Sequence, residues 1–136
     1  MTEIQKITKI SILVYGIVCI FFAVYLIFFF DIFLDVVNMP DWGNPYHPRM
    51  FGGAMLVVVI FALLIFLKKD WDREKINLAY ELLYFWLLIN IITESSLLTI
   101  YSSELSSTAL FQNILDIIIM SILLVLGVYS YIKQRE

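Results

Sequence analysis

Apolar residues fall along this chain in long unbroken runs rather than in alternation. Residues 10–30 carry no charge, and neither do residues 50–67. A third apolar region, 76–100, is interrupted by Glu81 and Glu94, and a fourth, 107–132, by Asp116. A helix needs about 20 apolar residues to cross a hydrocarbon layer of roughly 30 Å. Backbone groups in lipid must be satisfied within their own segment, which a continuous apolar run achieves only as a helix. Barrel strands would alternate. The pattern therefore predicts an all-α fold, a four-transmembrane-helix bundle with spans at 8–30, 50–68, 76–100 and 107–132. All of it forms one integral membrane domain, 1–136.

Residues 31–49 read DIFLDVVNMPDWGNPYHPR. Asp31, Asp35 and Asn38 recur at helical spacing, with Ile32, Phe33, Val36 and Val37 on the other side. This predicts a short amphipathic outer segment that continues helix one along the interface. Pro40 stops it, Pro45 and Pro48 favour extended backbone at Asn44 and His47, and Asp41, Gly43 and Asn44 supply turn chemistry. The segment is either a stiff connector with aromatic anchors such as Trp42 or a cap over an outward-facing pocket. Gly52, Gly53 and Ala54 remove bulk near the start of helix two, where close helix approach is expected.

Composition sharpens the class. Of 136 residues, 62% are hydrophobic and 15% charged, whereas a soluble domain is roughly 45–50% apolar and about 25% charged. A soluble sphere of this size has no room to hide so much apolar surface. A net charge of −3 excludes a basic nucleic-acid binder. One cysteine, Cys19, permits no intrachain disulfide or redox pair. One histidine, His47, has no second histidine or cysteine to join it in a metal site, so a loop role is expected. Neither H-E-x-x-H nor a P-loop occurs, and no metal, cofactor or complete catalytic motif is expected. Lys6 and Lys9 resemble the start of a signal peptide. The first run is too long for that and lacks a small-residue cleavage site, so it is expected to stay as an anchor.

Basic residues orient the spans. Of nine Lys and Arg residues, all but Arg49 fall on one side: Lys6, Lys9, Lys68, Lys69, Arg73, Lys75, Lys133 and Arg135. The other side carries Arg49 with Asp31, Asp35, Asp41 and Glu104. By the positive-inside rule both termini are cytoplasmic, as expected for a plasma-membrane protein of a prokaryote. The asymmetry argues against dual-topology exporters.

Ionisable residues inside spans cost at least about 2.5–3.5 kcal/mol near the bilayer centre and usually face the bundle interior with a partner. Gln112, Asn113, Asp116 and Met120 share a face of helix four, and Asn90 and Glu94 are i,i+4 neighbours on helix three. The reading is a polar site in the outer half of the bundle, built from Arg49, Asn90, Glu94, Gln112, Asn113 and Asp116. Arg49 would be its sole fixed cation, since a guanidinium matches a carboxylate with two hydrogen bonds. A buried ion pair that fixes helix register competes with a ligand or proton site. Glu81, thirteen residues before Glu94, falls on a different face, and an interfacial pair with Lys75 or Lys68 is expected. Tyr80, Tyr84 and Trp86 read as packing and belt residues.

Pro48-Arg49-Met50-Phe51-Gly52-Gly53-Ala54-Met55-Leu56, followed by Asp70-Trp71 in a charged turn, resembles small four-helix membrane proteins of the DoxX-like kind. The plan is also similar to the sterol-isomerase and sigma-two-receptor type of bundle. The resemblance implies a four-helix bundle with a pocket near Arg49 and assigns no chemistry. The expected function is binding of a lipid-like or quinone-like molecule by the outer polar site. The alternatives are a proton-coupled transporter or pore, which needs a homo-oligomer because four helices enclose little, and a structural subunit of a larger membrane complex. An enzyme is the least favoured reading.

Overall fold

The computed structural model describes residues 2–39, 46–67 and 70–135. Five helices follow one another: α1 (Lys6–Phe28), α2 (Phe30–Val36), α3 (Tyr46–Leu67), α4 (Arg73–Tyr101) and α5 (Ser107–Arg135). Four of them, all but α2, are long and apolar enough to cross a membrane. This is the all-α four-helix architecture of a multi-pass membrane protein. Each span exceeds its sequence-based boundary by a few residues at one or both ends, except that α1 stops at Phe28 and α3 at Leu67. Polar and charged residues such as Lys6, Arg73 and Arg135 extend helices beyond the lipid layer at no cost to backbone hydrogen bonding.

Helix α1 is the central element. Its buried residues Thr8, Ser11, Ile12, Tyr15, Cys19 and Ala23 recur at steps of one, three and four, which is one face of a helix. That face packs against α3 and α5, and α5 packs against α4. Glycine sets the α1–α3 spacing: a Cβ on Gly52 would lie 2.8 Å from Ile27 and 3.1 Å from the Ala23 carbonyl oxygen. The outward sides carry exposed Phe21, Val57, Phe85 and Val125, an apolar surface suited to lipid and far too large for a soluble monomer.

A two-residue antiparallel ribbon pairs β1 (Thr2–Glu3) with β2 (Asp70–Trp71) in the register Thr2↔Trp71, Glu3↔Asp70. It ties the N-terminus to the turn before α4. The Arg73 guanidinium donates to the Arg135 carbonyl at 3.3 Å, bringing the C-terminus to the same place. Asp72 stands at the N-cap of α4 and pairs with Lys75 at 2.8 Å. The hydrogen bond and charge of Lys75 hold its carboxyl below the usual carboxylate range. This end, with Lys6, Lys9, Arg73, Lys75, Lys133 and Arg135, is the basic end of the bundle. The opposite end carries Asp31, Asp35 and Glu104 and is the acidic end.

At the acidic end the first helix does not simply continue. Phe29, at φ −120° and ψ 12°, breaks it, and α2 starts anew. The buried stripe of this segment is Phe30, Leu34 and Val37, while Ile32 and Val36 are exposed; the apolar face expected at Ile32, Phe33, Val36 and Val37 is thus rotated. The reason is the break at Phe29, which resets the helical phase. Segment α2 ends in a Schellman motif: the Asn38 N–H donates to Asp35 at 3.1 Å and the Met39 N–H to Leu34 at 2.8 Å, with Asn38 left-handed at φ 58°. The Ser106 hydroxyl donates to the Val37 carbonyl and accepts from the Ala109 N–H at 3.1 Å. One serine therefore caps α5 and fastens α2 to it. His47 is not extended; its backbone lies in the first turn of α3. A proline at the next position is compatible with a helix there, because first-turn N–H groups have no intrahelical acceptor. Trp42, Asp41 and the 40–45 turn lie outside the described residues.

Candidate functional site

The polar residues expected to meet in one site separate into two groups, and a third polar group that the sequence reading did not include lies in the other half of the bundle. Arg49 does not join Glu94 or Asp116. Its guanidinium donates to the Asp31 carboxylate at 2.8 Å, at a position where both side chains are largely exposed (45% and 68%). The break before α2 carries Asp31 back over the first turn of α3. A pair formed there keeps its charges hydrated, whereas one drawn into the bundle would lose hydration that Coulomb attraction only partly restores.

The second group lies within α4 and α5 toward the acidic end. The Gln112 amide donates to the Asp116 carboxylate at 2.9 Å. Glu94 lies on α4, the helix that packs against α5. Among the described residues no Lys or Arg forms an ion pair with either carboxylate. Asn90 and Asn113 are not aimed across the bundle: Asn90 donates to the Trp86 carbonyl at 2.8 Å and Asn113 to the Ala109 carbonyl at 2.7 Å. Ser96, Thr99 and Ser121 do the same, each to the residue four before it. Amides and hydroxyls on these helices satisfy themselves locally. Asp116, an acceptor, is likewise served from its own helix, by the Gln112 amide one turn before it.

The third group occupies the basic half. Thr8, Ser11 and Ser130 are its fully buried hydroxyls. Ser11 and Tyr84 share a hydrogen bond of 2.5 Å across α1 and α4. Tyr15 donates to the Leu83 carbonyl at 3.2 Å. Ser130 donates to the Gly127 carbonyl at 2.9 Å, so its 2.8 Å bond with Tyr80 is donated by the phenol. Thr8 donates to the Gln134 side-chain oxygen at 2.7 Å, and the Gln5 N–H donates to the same oxygen at 2.8 Å. The rings form a ladder: Tyr15 stacks on Tyr84 at 5.7 Å, Tyr84 on Tyr80 at 5.4 Å, and Tyr80 meets Tyr131 edge-on at 5.1 Å. The Arg135 guanidinium closes it, 5.1 Å above the Tyr131 ring.

Gly127 makes this ladder possible. A Cβ there would lie 2.0 Å from the Tyr84 ring, so the ring fills the room that a side chain would need. Beside this junction α4 and α5 leave a groove of about 230 Å³, lined by Tyr80, Glu81, Tyr84, Phe85, Leu88, Leu124, Gly127, Val128 and Tyr131. Glu81 is exposed on its wall and makes no ion pair with a described residue. The pairing expected with Lys75 does not form, because Lys75 turns to Asp72 at shorter sequence distance; Lys68 lies outside the described residues.

Sequence reasoning passed over Thr8, Ser11, Tyr15, Ser130 and Gln134. A signal was present. Thr8, Ser11 and Tyr15 recur at three and four on α1, Ser130 and Tyr131 stand three and four after Gly127 on α5, and Tyr80 and Tyr84 lie one turn apart on α4.

No protein-family model matches the chain, and no curated protein or solved structure does either.

Gly127→Ala is expected to displace the Tyr84 ring and break its bond to Ser11, costing about 1–3 kcal/mol as overpacking does. Ser11→Ala removes only the hydroxyl and costs about 0.6–1.7 kcal/mol, the range for hydrogen bonds between membrane helices. The buried thiol of Cys19 reports both, through the temperature at which a thiol-reactive dye labels the detergent-solubilised protein. Gly53→Ala, where a Cβ meets nothing within 4 Å, should leave that temperature unchanged.

Proposed function

We propose that the chain is a binding protein of a prokaryotic plasma membrane, with both termini cytoplasmic, that holds a lipid-like or quinone-like molecule in the groove between α4 and α5. The groove itself carries this reading: an apolar trough of about 230 Å³ with polar groups gathered at one end. Bundle proteins place small-molecule sites between helices in this manner, with apolar walls for the body and a few polar groups for the head. The groove opens among lipid-facing side chains such as Phe85 and Val128, both exposed, so an amphiphile enters sideways from the bilayer. This site lies in the basic half, not near Arg49.

Val128→Trp fills the groove from its wall. Protein purified in mild detergent should then retain at least about tenfold less co-extracted amphiphile than wild type, the factor equivalent to 1.4 kcal/mol. Ile118→Trp, on an exposed part of the same helix nearer the acidic end, should retain the wild-type amount. Equal retention by wild type and Val128→Trp would remove the reading.

Orientation is tested with introduced cysteines in a Cys19→Ser background. A membrane-impermeant maleimide applied to intact cells should label Ser103→Cys and spare Glu74→Cys; the opposite pattern means the inverse orientation.

The carboxylates of Glu94 and Asp116, on neighbouring helices and without an ion-pairing cation among the described residues, favour a second reading, proton-coupled transport by a homo-oligomer. Reconstituted wild-type protein should then carry protons into liposomes, and Asp116→Asn should abolish the flux. A wild type without flux eliminates transport.

A further inference from the structure

The groove has an electrostatic signature of its own, and this inference rests on the reading of the groove as a ligand site. Its one acidic lining residue is Glu81, and no basic residue lines it. Glu81 is the ninth residue of α4, about 12 Å along the axis from Arg73 at 1.5 Å per residue. A helix of 29 residues overshoots a hydrocarbon layer of roughly 30 Å at each end, so Glu81 stands just inside the boundary where lipid headgroups begin. Leu88, two turns further, lies near the middle of the helix. The groove therefore runs from the headgroup level into the acyl region.

A cation stands over one of its lining rings. Arg135 folds back so that its guanidinium lies over the face of Tyr131, a groove-lining ring. Arg135 and Glu81 do not form an ion pair with each other. The groove and its edge thus present one carboxylate and one guanidinium, neither in an ion pair with a described residue, to a molecule whose tail follows Leu88 and Leu124. Opposite charges held apart fit a zwitterion and discriminate against a head of one sign.

The aromatic rings narrow the choice of cation. A quaternary ammonium binds to open ring faces. Here Tyr84 is stacked between Tyr15 and Tyr80 and Arg135 covers one face of Tyr131, so Phe85 is the exposed ring of the lining, and one ring does not make the cage a quaternary head calls for. The free acceptor is the carboxylate of Glu81, which favours a cation with N–H groups to donate.

We propose that the groove binds an amine-headed phospholipid of the leaflet at the basic end, with Glu81 accepting hydrogen bonds from the primary ammonium, Arg135 holding the phosphate, and one acyl chain lying along Leu88 and Leu124. No covalent step is involved.

The test is native mass spectrometry of the full-length detergent-solubilised chain, titrated with phosphatidylethanolamine, phosphatidylcholine and phosphatidylglycerol of identical acyl chains. Wild type should bind phosphatidylethanolamine about tenfold more tightly than the other two, the scale of a hydrogen bond to a charged group. Glu81→Gln, at an exposed position that folding does not depend on, should lower phosphatidylethanolamine to the phosphatidylcholine level and leave the other two unchanged. Arg135→Gln should weaken all three. A wild type without preference for phosphatidylethanolamine, or a Glu81→Gln variant that keeps it, overturns the assignment of the ammonium; an unaltered Arg135→Gln overturns that of the phosphate. Val128→Trp separates these failures from failure of the site. If it removes all three adducts, the groove stands with a different headgroup; if it removes none, the groove reading falls as well.

Discussion

The Tyr84 ring rests on bare backbone at Gly127, and much of the basic half is arranged around that contact. Lipid supplies no hydrophobic drive between helices, so association depends on close packing and on polar groups that find partners. Tyr84 serves both needs. Its ring occupies the space a side chain on α5 would take, it stacks between Tyr15 and Tyr80, and its hydroxyl reaches Ser11 on α1. One side chain thereby sets the register of three helices. With the ring drawn inward, Glu81, Phe85 and Leu88 on α4 and Leu124 and Val128 on α5 remain as the walls of the groove. The packing junction and the candidate site are two sides of one arrangement.

Charge follows a related economy. Ion pairs among the described residues form where water reaches them, Arg49 with Asp31 at the acidic end and Lys75 with Asp72 at the basic end. On α4 and α5, Asn90, Asn113 and Ser121 fold back on the carbonyl one turn earlier. Interaction between helices is left to the phenols, whose hydroxyls sit too far from their own backbone, and to Thr8 and Ser11 of α1. A polar residue in a membrane helix is informative according to whether its own helix satisfies it.

The sequence made the architecture legible because the rule behind it is one-dimensional. Continuous apolar runs in lipid can only be helices, and their number and approximate extent follow from hydropathy alone. The close approach at Gly52 and the local amphipathic segment after helix one were legible for similar reasons, since both depend on neighbours within a few residues. The phase of that segment was not. A single non-helical residue, Phe29, rotated its buried face onto Phe30, Leu34 and Val37.

The candidate site was legible only in part. Hydropathy drew attention to Arg49, Glu94 and Asp116 because charge is conspicuous in an apolar chain. It passed over Thr8, Ser11 and Ser130, whose hydroxyls scarcely disturb the hydropathy profile yet are fully buried in the bundle. By itself the sequence determined that this chain forms four apolar helices with basic residues at one end. Only the tertiary structure decided which polar groups meet, because pairing depends on how helices are rotated and on where breaks return the chain. Arg49 went to Asp31 for that reason, and the room left at Gly127 went to Tyr84.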